Sequence, residues 1–142
     1  MGDKYKARLE EFDWEKYETA YGSASKVPGQ LVRLRSCQDT QALQASHELW
    51  CGLCHQHAYV SSAALPALSF ILEVLEQASE QLAIEILDIL LGFSICTIGS
   101  EISWQVELRG KLMLEIDRFK SLALSNNKDI SEFAELILEN LT

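Results

Sequence analysis

Residues 79–98 read SEQLAIEILDILLGFSICTI, and the reading of this stretch decides the fold. Ser79 is a strong N-cap, followed by Glu80 and Gln81 in the first turn, where negative charge suits the helix dipole. Leu82, Ile86, Ile89, Leu90 and Phe93 recur at helical spacing and form one apolar stripe. Ile84, Leu87 and Leu91 add apolar surface on other sides. A helix that is apolar nearly all round belongs at the centre of a molecule. Gly99 is placed to end it.

Helical spacing continues in both directions. Upstream, Ser61 or Ser62 is expected to cap a helix carrying Leu65, Leu68, Ile71, Leu72 and Leu75, with Pro66 near its first turn, where a missing N–H is tolerated. Asp39 is expected to cap a helix to about residue 57, with Ala42, Leu43, Leu49, Trp50, Leu53 and Cys54 at helical spacing. Pro28 suits the first turn of a short helix ending near Ser36. Asp13 can cap a first helix over 14–21 that stops at Gly22, with Trp14, Tyr17 and Tyr21 on one face docking it to the body. Downstream, one long helix is expected over 102–124, broken by Ser125-Asn126-Asn127. Asp129 or Ser131 then caps a last helix in which Phe133, Ile137 and Leu141 repeat every four residues. Ala58-Tyr59-Val60 is the one β-like piece and reads as a connection.

The expected fold class is therefore all-α, a short right-handed stack of antiparallel helical hairpins of the HEAT or armadillo kind. Residues 39–78 and 79–124 make two hairpins of about forty residues each. Residues 1–38 supply N-terminal cap helices and 125–142 a C-terminal cap helix, within one domain over 1–142. Composition agrees. A chain of 142 residues is one domain and buries roughly two thirds of its unfolded surface. Hydrophobic residues at 48% exclude disorder, and 7 Gly with 2 Pro argue against a β-sandwich rich in tight turns.

The formal net charge is −9. Such a chain repels phosphate backbones and anionic lipid, which makes nucleic acid and membrane surfaces poor partners. Residues 36–108 contain no Lys or Arg, yet nine acids: Asp39, Glu48, Glu73, Glu76, Glu80, Glu85, Asp88, Glu101 and Glu107. That half of the chain is either a solvated face or a docking surface for a basic partner. The N-terminal MGDKYKARLEEFDWEK is charged and lacks the apolar core of a signal peptide. Lys6 stands where myristoylation after Met1-Gly2 needs Ser or Thr. The apolar run over 82–98 contains Glu85 and Asp88 and is too short to span a bilayer. A cytoplasmic location with reduced thiols is the expectation.

Along the chain, residues Tyr21-Gly22, Val27-Pro28, Leu31, Leu34, Asp39, Leu49-Trp50, Leu53, His55-Gln56, Ala64 and Pro66 resemble a family of small bacterial HEAT-repeat-like proteins. In that family a Tyr-Gly pair precedes a Val-Pro helix, a Leu-Trp helix closes on a His-Gln-Gly turn, and a Pro-Phe helix follows. Here His57 stands in place of that Gly, and Ala67 in place of the aromatic. The resemblance covers about residues 14–95. It implies kinship with immunity proteins that neutralise secreted antibacterial toxins, including those of contact-dependent inhibition.

Few residues carry catalytic chemistry. Cys51-Gly52-Leu53-Cys54-His55 matches the haem-attachment pattern, but that chemistry requires export, and burial on an amphipathic helix accounts for the residues. Cys51, Cys54, His55 and His57 are too tightly spaced to converge on one zinc ion, and His47, Cys37 and Cys96 lie at no metal-like spacing. No nucleophile elbow, phosphate-binding glycine loop or Glu-x-x-His motif occurs. No cofactor, no metal and no enzymatic activity are expected. Trp50 reads as core, whereas Trp104 beside acids on an inter-helix turn reads as a binding hot spot.

The function expected is binding: an immunity protein that occludes the active site of a cognate toxin, a basic nuclease, with an acidic surface in a monomeric 1:1 complex. The residues expected to carry it are Glu73, Glu76, Glu80, Glu101, Trp104 and Glu107, with Asp88 and Asp39 ranked lower. The alternative is a HEAT-like scaffold or adapter unrelated to toxins.

Overall fold

The computed structural model describes residues 4–36 and 38–142. The Met1-Gly2 start and Cys37, both weighed above, lie outside the described residues. The fold is all-α. Its helices are α1 (Lys4–Leu9), α2 (Val27–Leu34), α3 (Asp39–Cys54), α4 (Ala64–Leu75), α5 (Glu80–Cys96), α6 (Ser103–Met113), α7 (Ile116–Ala123) and α8 (Lys128–Leu141). Two short strands, β1 (Glu18–Thr19) and β2 (Gly22–Ser23), pair antiparallel and turn at Gly22, whose φ of +113° suits glycine.

Helix α5 is the centre, as its sequence requires. Ser79 Oγ accepts from Leu82 N at 3.3 Å and caps it. Leu82, Ile86, Leu87, Ile89, Leu90, Leu91 and Phe93 are all buried. Helices α3 and α8 both pack on α5, while α4 and α6 touch it as well. Contacts run in two rows, α2 with α4 and α4 with α6, and α3 with α5 and α5 with α8, with α7 folded onto α8. The neighbours of α3 are chiefly α2 and α5 rather than α4, its sequential partner. Gly92 lets α3 come close to α5: a Cβ there would lie 2.6 Å from Cys54 Sγ and 2.7 Å from His57 Cδ2.

The N-terminal segment departs from expectation. Residues 14–21 do not form a helix. Trp14–Lys16 make a single 3-10 turn, and the strands follow. The backbone is taken up by tertiary hydrogen bonds: Glu18 N donates to Ser62 Oγ at 2.9 Å, Ala63 N to Glu18 O at 3.0 Å and Ala20 N to Gly52 O at 2.8 Å. These outweigh weak local helix propensity. Trp14 still docks the segment, with Nε1 donating to Leu9 O at 2.8 Å and its ring beside Phe70. Tyr17 is half-buried, and Tyr21 points out.

Three caps also shift. Asp39 is the first helical residue of α3, with Gln38 at the cap position, so its carboxylate sits in the first turn. Helix α4 begins after Ala63, because Ser62 is spent on the β-hairpin. Helix α8 is capped by Asn127, whose Oδ1 accepts from Asp129 N at 3.0 Å and Ile130 N at 3.3 Å. Ser131 instead donates to Ala123 O at 2.7 Å.

The expected helix over 102–124 is two helices. A straight one would run about 34 Å. The chain breaks at Leu114-Glu115, which lets α6 pack on α4 and redirects α7 onto α8, with Phe119 buried. Arg109 ties the end of the molecule together: it donates to Ser94 O at 3.2 Å and to Asn140 O, while Asn140 Nδ2 donates to Ser94 Oγ at 3.1 Å. Among the described residues no helix is long and apolar enough to cross a membrane.

Two glycines give opposite predictions for the same change. Gly92→Ala should lose about 1–3 kcal/mol by overpacking against Cys54 and His57. Gly110→Ala, in α6 with nothing within 4 Å of the added Cβ, should gain about 0.5–1 kcal/mol. Urea unfolding should show the two midpoints moving apart at unchanged slope.

Candidate functional site

The acids expected to form a docking surface divide into two groups. Glu73, in the last turn of α4, pairs with Arg8 of α1. Glu76 at the end of α4 accepts from Arg118 at 3.2 Å, and Arg118 also donates to Leu72 O at 2.9 Å and meets Glu115 at 3.0 Å. Asp88 is half-buried: His57 Nε2 lies 2.8 Å from its Oδ1 and 2.9 Å from its main-chain oxygen. Glu73, Glu76 and Asp88 are therefore each paired within the fold, Glu76 with its side chain still 59% exposed. Glu73 also lines a groove of about 450 Å³ with Asp39, Arg35 and Gln77, between the ends of α2 and α4 and the start of α5. No ion pair reaches Glu80, Glu85 or Glu101 among the described residues. Glu107 meets only Lys111, one turn on, at 3.8 Å with both side chains largely exposed. Such a pair contributes little.

The second group gathers around α6. Its inner side carries Trp104, Leu108 and Leu112 every four residues; the two leucines are fully buried and Trp104 is half-buried against the core. Trp104 is thus mainly an anchor. The opposite side carries Ile102, Val106 and Met113, exposed by 53%, 51% and 46%. Ile98 before the helix and Leu114 after it are exposed by 56% and 82%. Glu101 and Glu107 lie beside this apolar surface in sequence. The connection is shaped by Gly99 at φ +67° and by Ser100, whose Oγ accepts from Ile102 N at 3.2 Å and donates to Gln105 Oε1 at 2.6 Å. Ile102, Val106 and Met113 fall on one face by helical spacing, a pattern that hydrophobic periodicity alone could reveal.

The Cys51–His55 motif has a different outcome. Helix α3 ends with His55, Gln56 and His57 all at positive φ, the conformation for which a glycine is otherwise favoured. The His57–Asp88 contact and the stacking of His55 on Tyr59 at 4.9 Å hold this turn. Cys54 faces inward toward Gly92, and burial pushes its thiol up to about 12. Cys51 faces a separate groove of about 420 Å³, lined by the hairpin, the start of α2 and α3. The two thiols point apart, which does not suit one haem edge or one metal ion. Among the described residues no group of three or more His, Cys, Asp or Glu is placed to hold a metal.

Comparison with known proteins finds no matching family model, no matching curated sequence and no matching solved structure.

Beside the groove, Arg33 donates to Glu48 Oε2 at 3.0 Å and also to Oε1, which Gln30 reaches at 3.2 Å. The Arg33 guanidinium holds the Glu48 carboxyl below its usual 4.5, against a smaller opposing effect of desolvation. A depressed folded-state value stabilises above the unfolded value and is lost as pH falls through the folded one. Glu48→Gln should therefore cost up to about 1 kcal/mol near neutral pH. In denaturation at a series of pH values, the gap to wild type should close below the ordinary glutamate range.

Proposed function

We propose that this chain is a protein-binding domain of the toxin-neutralising, immunity type, acting in the cytoplasm through the outer face of α6. The observation that carries the reading is the exposed apolar stripe of Ile102, Val106 and Met113, with Ile98 and Leu114 also exposed at the two ends of the helix and Glu101 and Glu107 close in sequence. A surface of this kind excludes water at its middle and reads charge at its rim. The net charge of −9 favours a basic partner, and complementary charge speeds capture. A nuclease that holds phosphate with Lys and Arg is the fitting toxin class, and occlusion of its active site is the fitting mechanism. The two rows of contacting helices support a helical-repeat reading of the scaffold.

Several residues change rank within this proposal. Glu101 and Glu107 stay as rim charges and Glu80 as a more distant one. Glu73 and Glu76 stay as partly paired charges, and Asp88, half-buried against His57, ranks lowest. Ile102 and Val106 join as the apolar centre. An interface of about 800 Å² on each partner is typical of a stable 1:1 complex. That is roughly a tenth of the 7783 Å² surface.

Affinity capture from the source cells at moderate salt, with wild-type and Val106→Glu baits, tests the proposal. Wild type should retain one basic protein, the C-terminal piece of a large secreted polypeptide, and Val106→Glu should weaken its binding by at least about tenfold, the scale of one interface residue. That piece, expressed alone in a test cell, should stop growth, and co-expression of this chain should restore it. Recovery of the same housekeeping complex on both baits would replace this reading with the adapter one.

A further inference from the structure

The groove beneath the β-hairpin plays no part in the reading above, and it holds a side-chain arrangement of its own. Cys51, in the last turn of α3, lines it with Tyr21, Lys26, Gln30 and His47. His47 stands one turn earlier on the same face of α3, with Nε2 3.7 Å from Cys51 Sγ. Gln56 Nε2 donates toward the same sulfur from the other side at 4.0 Å. The Tyr21 phenol is pushed above its ordinary value by desolvation and by the neighbouring Cys51, so it stays protonated. Cys54 and Cys96 differ from Cys51. Cys54 is buried and directed at Trp50 O at 3.3 Å. Cys96 is half-buried, directed at His57 O at 3.5 Å, and raised by burial. Cys51 is the described thiol that combines an open groove with an imidazole.

Charge in the groove defines what fits there. Glu48 is already neutralised by Arg33. Lys26 is exposed and meets no acid among the described residues. An anionic protein thus offers a locally cationic groove next to a thiol. We propose that Cys51 is a covalent modification site for small anionic disulfides, of which glutathione disulfide is the type, with His47 accepting the thiol proton and Lys26 attracting the carboxylates.

The step balances without an outside oxidant. The Cys51 Sγ–H proton passes to His47 Nε2. Sγ attacks one sulfur of the disulfide, a new S–S bond forms and the old one breaks. The leaving thiolate takes the proton back from His47. One disulfide and one thiol become another disulfide and another thiol. The helix supplies no help, since its C-terminal end carries partial negative charge and disfavours a thiolate. The proton acceptor therefore has to be a side chain. The nearby Cys54 does not resolve the product, because burial holds its thiol at about 12. The mixed disulfide should persist.

The experiment uses the full chain carrying Cys37→Ser, incubated with glutathione disulfide and followed by intact mass and peptide mapping. One glutathionyl group should appear, at Cys51, and Cys51→Ser should take up none. His47→Gln should slow the reaction about tenfold near pH 7, where an unassisted thiol is only a few per cent thiolate. That gap should close at alkaline pH. Lys26→Glu should slow glutathione disulfide and speed the cationic disulfide cystamine. Both substituted side chains are exposed, so unchanged unfolding midpoints verify the fold. Labelling first at Cys96, an unchanged rate in His47→Gln, or the same preference between the two disulfides in Lys26→Glu would overturn the assignment.

Discussion

Helix α5 buries Leu82, Ile86, Leu87, Ile89, Leu90 and Phe93 on sides that no single neighbour can cover. Burying side chains of this size is worth about 1.5–3 kcal/mol each, and that gain is realised only when several elements arrive together. Helices α3 and α8 lie along it, with α4 and α6 beside them. A close approach occurs at Gly92, where Cys54 and His57 occupy the space a side chain would need. His57 then reaches Asp88 on the same helix, so the turn that ends α3 is fastened to the central helix by packing and by the 2.8 Å contact between Nε2 and Oδ1.

That fastening explains why three successive residues without glycine's freedom adopt positive φ. Each of them costs local strain. The strain persists because the ring of His57 and the thiol of Cys54 are held by α5, and because His55 stacks on Tyr59. Cys51 and Cys54, one turn apart on α3, nonetheless meet different surroundings. One thiol is sealed against the core and the other opens to a groove. A pattern that looks like paired ligands in the sequence is two unrelated environments in the fold.

Charge is redistributed in the same way. The long anionic half of the chain has no cation of its own, but cations arrive from both ends: Arg8 reaches Glu73, and Arg118 reaches Glu76. Arg33, just before that stretch, takes Glu48. Part of what reads as a uniform acidic surface is therefore a set of links between distant segments. What stays open is smaller: Glu80 and Glu85 on α5, and Glu101 beside the exposed apolar side chains of α6.

The sequence by itself determined the helical class, the central place of α5, its Ser79 cap and most of the buried stripes, because helical periodicity and capping are local and act within a few residues. Trp50 was placed in the core by spacing, and it packs there; Trp104, read as a binding residue, also packs against the core with part of its ring. Tertiary structure decided the rest. It turned residues 14–23 into a 3-10 turn and a hairpin by drawing their backbone into bonds with Gly52, Ser62 and Ala63. It split 102–124 into α6 and α7, because two different neighbours needed covering. It also chose which acids are paired and which thiol is open. Those outcomes depend on residues far apart in the chain meeting, and a single sequence carries no direct record of which pairs will meet.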